Sequence, residues 1–387
     1  MPIRSRPKPG SPRTAEVLPQ AAIADPKGVS EALEAWFPAA ARDLPWRRHR
    51  SGYGALVSEL MLQQTQVGRV IDAFARFMER FPTPCALADA SEHDVLAAWQ
   101  GLGYYRRARL LHGAARAVRD LHGGTVPATA AELQALPGIG RYTAGAIASI
   151  VHGERVPIVD GNVLRVVSRL AAHPAQAGSP PDERWAWREA SRLVEAADRP
   201  GVLNEGLMEL GATVCTPAAP KCGSCPLRAQ CQARAEGSAA DIPRPRRAAP
   251  RRAVHWHALV DVGPGGVALE RRPERGLWAG MLQPPTVEAD APVEAGGLER
   301  AWGMAVREVG AFTHVTSHRD VHFRVFVPAA AAARPDADGV LRVPAEQLAS
   351  QPLSNAAWRV LEAARVPVRT PPSASAGRAA RSAPTGS

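Results

Sequence analysis

The sequence predicts an all-α domain followed by a smaller α+β domain. No period-two pattern occurs before residue 230, whereas apolar residues recur at helical spacing from Val29 onward. Residues 232–252, QARAEGSAADIPRPRRAAPRR, form a Pro/Arg/Ala stretch with the composition of a linker. Beyond it the periodicity switches towards two in HWHALVDV, GVALERR and VHFRVFVP. A chain of 387 residues suits two domains, and it carries no solenoid-type repeat.

Each element follows from a local pattern. Residues 1–27, rich in Pro, Arg and Ala, are expected to be a disordered basic tail. Helical spacing then joins Val29, Ala32, Leu33, Trp36 and Phe37. Residues 42–48, RDLPWRR, read as an irregular segment carrying Trp46 and Arg47. Residues 54–80 predict two helices, interrupted by Gln63-Gln64-Thr65-Gln66. A further helix is expected from Glu92 to Trp99. The loop Gly101-Leu102-Gly103-Tyr104-Tyr105 follows, then a basic helix from Arg106 to about Leu121. Leu136-Pro137-Gly138-Ile139-Gly140 joins two more helical patterns through a turn that glycines make easily. Helices over 183–197 and 203–214 lead to a cysteine cluster. The first domain is therefore placed at 28–231, with its cysteine loop at 215–231, and the linker at 232–252. The second spans 253–366, with helices near 298–308 and 355–364 beside its strands, and 367–387 is a tail expected to be disordered.

The formal net charge is +10, with Arg well ahead of Lys. That balance favours a polyanionic partner, nucleic acid before membrane. No apolar run approaches the roughly 20 residues of a membrane span. The first residues, MPIRSRPKPGSPRTAE, have no hydrophobic segment behind them and do not read as a secretory signal. Five cysteines are too few for a disulfide scaffold in a chain this long. Four of them lie between 215 and 231, which points to a metal site in a reducing, cytoplasmic compartment.

Three groups of residues carry chemistry. The turn Gly138-Ile139-Gly140 leaves backbone N–H groups at a helix start, where the dipole favours a phosphate. Asp160 stands just before the apolar-periodic helix of Val163, Val166, Val167 and Leu170, and the dipole there is expected to keep it ionised. Glu59 has Ala55, Leu56 and Leu62 as helical neighbours, so a raised pKa and a proton near neutrality are expected. One protonated and one ionised carboxyl can together break a glycosidic bond. The plainer alternatives are a surface glutamate on a helix edge and a simple N-cap. The cysteines follow the pattern Cys215-x6-Cys222-x2-Cys225-x5-Cys231. Four thiolates in one loop can hold a [4Fe–4S] cluster, whereas zinc commonly uses two separated Cys-x-x-Cys pairs and only one is present. Lys221 and Arg228 within the loop could meet phosphate. The site lies far in sequence from both carboxylates and is expected to be structural.

From about Val29 to Cys231 the chain resembles the catalytic domain of MutY-type adenine DNA glycosylases, in the helix-hairpin-helix and endonuclease III superfamily. The matching strings are LPWR, SELMLQQTQV, GLGYY, LPGIG, VDGNV and the cysteine spacing. The resemblance implies an all-α helix-hairpin-helix glycosylase domain with an iron–sulfur loop. It implies that Glu59 protonates adenine, that Asp160 stabilises the sugar cation, and that Tyr142 and Asn162 assist. It implies that Trp46, Arg47 and Glu205 line the adenine pocket, and that Gln64, Thr65, Leu102 and Tyr104 fill the gap around the opposite base. The implied partner is duplex DNA holding an 8-oxoguanine:adenine or guanine:adenine mispair, bound by a monomer associated with a bacterial-type nucleoid.

Two departures bear on the reaction. Endonuclease III enzymes carry an imine-forming lysine where Tyr142 stands, and some MutY proteins carry a lysine where Leu164 stands. A monofunctional enzyme is therefore implied over a bifunctional pyrimidine glycosylase/lyase or a non-catalytic iron–sulfur DNA-binding protein. The second domain resembles the MutT-like (Nudix-fold) domain of the same family through RRPERGLWAGM, 271–281. Around Arg307-Glu308-Val309-Gly310 only one glutamate remains, too few to hold magnesium, which points to binding and not catalysis. The family's Phe-Ser-His reading loop is here Thr316-Ser317-His318, without the aromatic ring.

Overall fold

A computed structural model of the chain describes residues 22–246, 249–330 and 339–367. The tails expected to be disordered lie almost wholly outside them. The exception is 22–27, where Ile23 is buried and its N–H donates to Glu189 Oε2 (2.9 Å). The helical part runs α1 (Pro26–Ala40), α2 (Pro45–Arg48), α3 (Gly52–Leu62), α4 (Val67–Arg80), α5 (Pro84–Asp89), α6 (Glu92–Ala98), α7 (Arg106–His122), α8 (Ala130–Gln134), α9 (Arg141–His152), α10 (Gly161–Leu170), α11 (Pro180–Ala196), α12 (Pro200–Thr213) and α13 (Gln232–Ala235). The second part runs β1 (Arg252–Leu259), β2 (Val262–Gly263), β3 (Gly266–Arg271), β4 (Leu282–Gln283), β5 (Thr286–Ala289), α14 (Ala295–Trp302), β6 (Val306–Val315), β7 (Arg319–Pro328), β8 (Val340–Val343) and α15 (Asn355–Ala363). Among the described residues, no helix is long and apolar enough to cross a membrane.

The described residues form two compact units. One joins 22–41 to 159–246, and the other joins 42–158 to the chain from 249 onward. In the first, α10 buries Val163, Val166, Val167 and Leu170, and packs on α11 and α12. Helix α1 lays Val29, Leu33 and Phe37 against the same two helices. Residues 232–244 belong to this unit, which corrects the linker read from composition. Ala233, Ala239 and Ile242 pack together against Ala172, Cys222 and Cys231, and Arg244 bridges to Gln176. A few well-placed apolar side chains suffice to order such a segment, and composition averages them away.

In the second unit, α3, α4, α6, α7 and α9 share a core containing Leu56, Leu60, Phe77, Leu96, Trp99, Leu111 and Ile147. Phe77 meets Phe81 and Trp99 edge-on, at 5.0 and 5.9 Å between ring centroids. Each such pair adds about 0.5–1.5 kcal/mol beyond its buried area. The short helices α2, α5 and α8 escape a reading by periodicity because a turn or two holds no repeat. The signals of α5 and α8 are the caps Thr83 and Thr129: Thr129 Oγ1 accepts the Glu132 N–H (3.3 Å) and donates to Glu132 Oε2 (2.6 Å) at the start of α8.

The second part of this unit contains a mixed sheet in the order β5-β1-β7-β6, with β1 and β7 parallel and Trp256 opposite Phe323. A smaller sheet, β2-β3-β4, pairs β8 to β3. Both sheets and α15 bury Trp256, Leu269, Leu282, Phe323 and Trp358 in one core. The helix expected near 298–308 ends at Trp302, and β6 begins four residues later. There Phe312 pairs with Phe323, and cross-strand packing overrides any local helical preference. Glu308 lies on β6, ion-paired with Arg324 (2.6 Å), and among the described residues it belongs to no group of three His, Cys, Asp or Glu able to hold a metal ion. The loop after β3 docks this part onto the helices. Met281 is fully buried in the core that holds Trp99, Trp278 touches both cores, and Arg109 Nη2 donates to the Ala279 carbonyl.

Candidate functional site

The first unit carries Asp160, Asn162, Glu205 and the four clustered cysteines. Asp160 is the N-cap of α10: its Oδ1 accepts the N–H groups of Asn162 (2.9 Å) and Val163 (2.7 Å). Asn162 Nδ2 donates to Oδ2 (2.9 Å). Arg165, a residue the sequence reading missed, fixes Asn162 in turn. Its Nη2 donates to Asn162 Oδ1 (2.8 Å) and to the Gly211 carbonyl (2.8 Å), and its Nε donates to the Cys215 carbonyl (2.8 Å). Helix α12 can approach so closely because Gly211 has no side chain, since a Cβ there would stand 2.6 Å from Asn162 Cβ. A glycine inside a helix costs about 1 kcal/mol relative to alanine, which is the signal that could have marked it.

The three donors and the helix dipole favour the Asp160 anion, but burial is the larger influence and moves its pKa above the usual carboxylate range. The dipole and the donors alone would lower it, so the direction of the shift is set by burial. A carboxylate stripped of water acts more strongly on a nearby cation than a solvated one does. Distance in sequence also misleads about the cysteines: the Cys215 backbone is joined to Asp160 through Arg165 and Asn162. Glu205 is buried on α12.

The second unit carries the remaining candidates. Glu59 is half-buried on α3, which packs on α9, and Tyr142 is half-buried in the first turn of α9. Between α8 and α9 the hairpin turn has Gly138 at φ 76°, where a Cβ would stand 2.6 Å from Leu110 Cβ. Ile139 is buried beneath it while Gly138 and Gly140 are exposed, and Gly140 is the N-cap of α9. Trp46 meets Phe74 edge-on (5.6 Å), and Arg47 Nη1 donates to the Arg42 carbonyl (3.2 Å).

Gln64 and Tyr104 are both exposed, and both adopt left-handed backbone, at φ 56° and 49°. Non-glycine residues are held there only when the surroundings demand it. The demand comes from Arg107, a buried residue within what the sequence reads as a basic helix. Its Nη1 lies within hydrogen-bonding reach of the carbonyls of Leu60 (2.7 Å), Met61 (2.8 Å) and Gln63. Its Nη2 faces Thr65 Oγ1 (3.0 Å) and the carbonyls of Leu102 (3.3 Å) and Gly103 (3.2 Å). The guanidinium also lies over the rings of Trp99 and Tyr104, at 5.5 and 5.3 Å. Burial pushes its pKa down to about 10, which leaves it charged at neutral pH. Leu102 is buried beside Thr65, whose Oγ1 is 3.5 Å from the Leu102 carbonyl. Ser317 and His318 are exposed at the tip of the β6–β7 hairpin, and Ser317 Oγ is 2.9 Å from the Tyr104 hydroxyl.

Cys215, Cys222, Cys225 and Cys231 line one small, half-open pocket together with Arg169, Lys221, Arg228 and Arg234. Burial, with the other three thiols adding to it, pushes the Cys225 thiol up to about 11. Arg169 Nη1 donates to Cys215 Sγ (3.3 Å). Among the described residues, no three His, Cys, Asp or Glu side chains are arranged to hold a metal ion. Cys85 is in the other unit.

Residues 57–190 match the model of the HhH-GPD superfamily of base excision DNA repair proteins, and residues 255–363 match the NUDIX domain. The chain thus pairs a helix-hairpin-helix domain with a Nudix fold. More narrowly, the chain belongs to the adenine DNA glycosylase family. It is 36% identical to the adenine DNA glycosylase of Mus musculus over 366 residues, covering 79% of this chain and 71% of that protein. It is 44% identical to that of Mycobacterium tuberculosis over 213 residues, covering 54% and 70%. The match to the Rattus norvegicus protein is 48% identical and covers 54% of this chain but only 42% of that protein, so the chain spans less than half of that relative's length.

Proposed function

We propose that the chain hydrolyses the N-glycosidic bond of adenine mispaired with 8-oxoguanine or guanine in duplex DNA, leaving an abasic site. The observation that carries this reading is Asp160, a desolvated carboxylate oriented by Asn162 and two backbone N–H groups. The hairpin turn at Gly138, Ile139 and Gly140 grips a phosphate, with the Ile139 N–H itself held by the Leu136 carbonyl (3.2 Å). The adenine leaves the stack and is bound by Trp46, Arg47 and Glu205, while Gln64, Thr65, Leu102 and Tyr104 fill the gap around the opposite base. Glu59 protonates the leaving base, and Asp160, assisted by Tyr142, stabilises the oxocarbenium-like sugar until water adds. With Tyr142 and Leu164 where relatives can carry lysine, no imine forms and the strand stays intact. Ser317 and His318 read the base opposite. The working unit is a monomer on DNA in a reducing, cytoplasmic compartment.

The four cysteines fit a [4Fe–4S] cluster better than zinc. Zinc commonly uses two separated Cys-x-x-Cys pairs, and here only Cys222 and Cys225 form one. The four cysteines line one pocket, as suits a cluster that gives each thiolate its own iron. Bound there, the cluster would tie the loop to α10 through Arg169.

One gel tests the reaction: a duplex with adenine opposite 8-oxoguanine, incubated with the protein, then resolved with and without alkali. Breakage only after alkali is expected. Breakage without alkali, together with borohydride trapping, would assign a lyase. No breakage in either lane would assign a non-catalytic DNA-binding protein. Iron and acid-labile sulfide near four each per chain are expected, and stoichiometric zinc in active protein would overturn the cluster.

A further inference from the structure

The β6–β7 hairpin turns through two residues, Ser317 and His318, without the backbone such a turn normally uses. Two-residue hairpins favour turns with positive φ, supplied by Gly, Asn or Asp. Neither Ser317 nor His318 has a positive φ. The turn is closed instead by a side chain. Thr316 Oγ1 donates to the Arg319 carbonyl (2.9 Å) and accepts the Arg319 N–H (3.0 Å), while the Thr316 N–H donates to the same carbonyl (2.8 Å). One hydroxyl thus uses its proton and a lone pair in opposite directions across the turn. From the neighbouring strand the Arg252 N–H donates to the His318 carbonyl (3.0 Å).

We infer that Thr316 is the residue that positions this chain's lesion-reading turn, its hydroxyl clasp holding Ser317 and His318 at a fixed pitch against the base opposite adenine. This rests on the reading role given to Ser317 and His318 above. A hydrogen-bonding reader discriminates well only if its donors and acceptors are held in place before the base arrives. The clasp supplies that order from within the turn.

The test compares Thr316→Val and Thr316→Ala, which lose the hydroxyl, with Thr316→Ser, which keeps it. Ser317→Ala/His318→Ala is measured with and without Thr316→Val. For each full-length protein, single-turnover excision is measured on 8-oxoguanine:adenine and guanine:adenine duplexes, with hydrogen exchange of the peptide spanning 314–321. Val and Ala should lower the ratio of the two rates on the order of 5- to 10-fold and speed exchange, the effect of one hydrogen bond. Ser should restore both. In the double-alanine background, Thr316→Val should cost nothing further. If Val and Ala keep the wild-type ratio while the double-alanine protein loses it, the clasp is refuted and the reading role stands. A further loss from Val in the double-alanine background would also refute it. If the double-alanine protein keeps the ratio, the reading role fails and the inference with it.

Discussion

Asp160 and Tyr104, both given roles on DNA in the proposal above, are held in place by different means. Asp160 is fixed by partners two and three residues along its own helix, Asn162 and Val163, so a cap visible in the sequence sets its geometry. Tyr104 sits in a strained left-handed conformation. The segments it must align with, 60–65 and 102–103, are tied together by the single guanidinium of Arg107. A locally held group tolerates change elsewhere in the fold. A group held by a buried cation that also ties in a segment some forty residues away does not, because removing that cation leaves several carbonyls unpaired at once.

The largest effect expected is chemical and depends on neither arrangement. Glu59→Gln should keep duplex affinity and lose single-turnover excision by on the order of 10³-fold, the usual worth of a general acid. Near-normal excision would remove Glu59 from the mechanism. Next, Arg107→Met should destabilise the second unit by about 3 kcal/mol, since the carbonyls of Leu60, Met61 and Leu102 lose their donor inside the core. Denaturant melts followed by hydrogen exchange would show it, and exchange in 159–246 should stay as in wild type. An equal loss in both units would break the contrast drawn here.

A third expectation concerns acid. Burial, with Arg359 nearby, pushes His314 down to about 4, beside Trp278 at 5.4 Å. The unfolded chain takes up a proton near pH 6.5 that the folded chain refuses until about 4. Stability is therefore full above pH 6.5 and falls as pH drops through that window, by roughly 2–3 kcal/mol. His314→Leu should flatten the slope between pH 6.5 and 4, and an unchanged slope would assign it to other groups. The smallest effect sharpens the Asp160 side. Gly211→Ala places a Cβ against Asn162 and should cost about 1–2 kcal/mol in thermal stability. Excision should fall with it, and Gly211→Ala with wild-type excision would show that α12 does not set the position of Asn162.

The sequence by itself determined the class of each half, the long helices and most strands, the cysteine loop and the Asp160 cap. Those rest on periodicity, spacing and contacts within a few residues, which a linear string displays. The strand 306–315 was read as helix in its first residues, because its pairing with 319–328 comes only with the sheet. The order in 232–244 depended on the cysteine loop it packs against. The sequence does not separate Arg107 from the other arginines of its basic helix, and only the closed core buries it. The raised pKa of Asp160 likewise belongs to the tertiary structure. Dipole and capping are properties of one helix, but desolvation is the sum of everything packed around it.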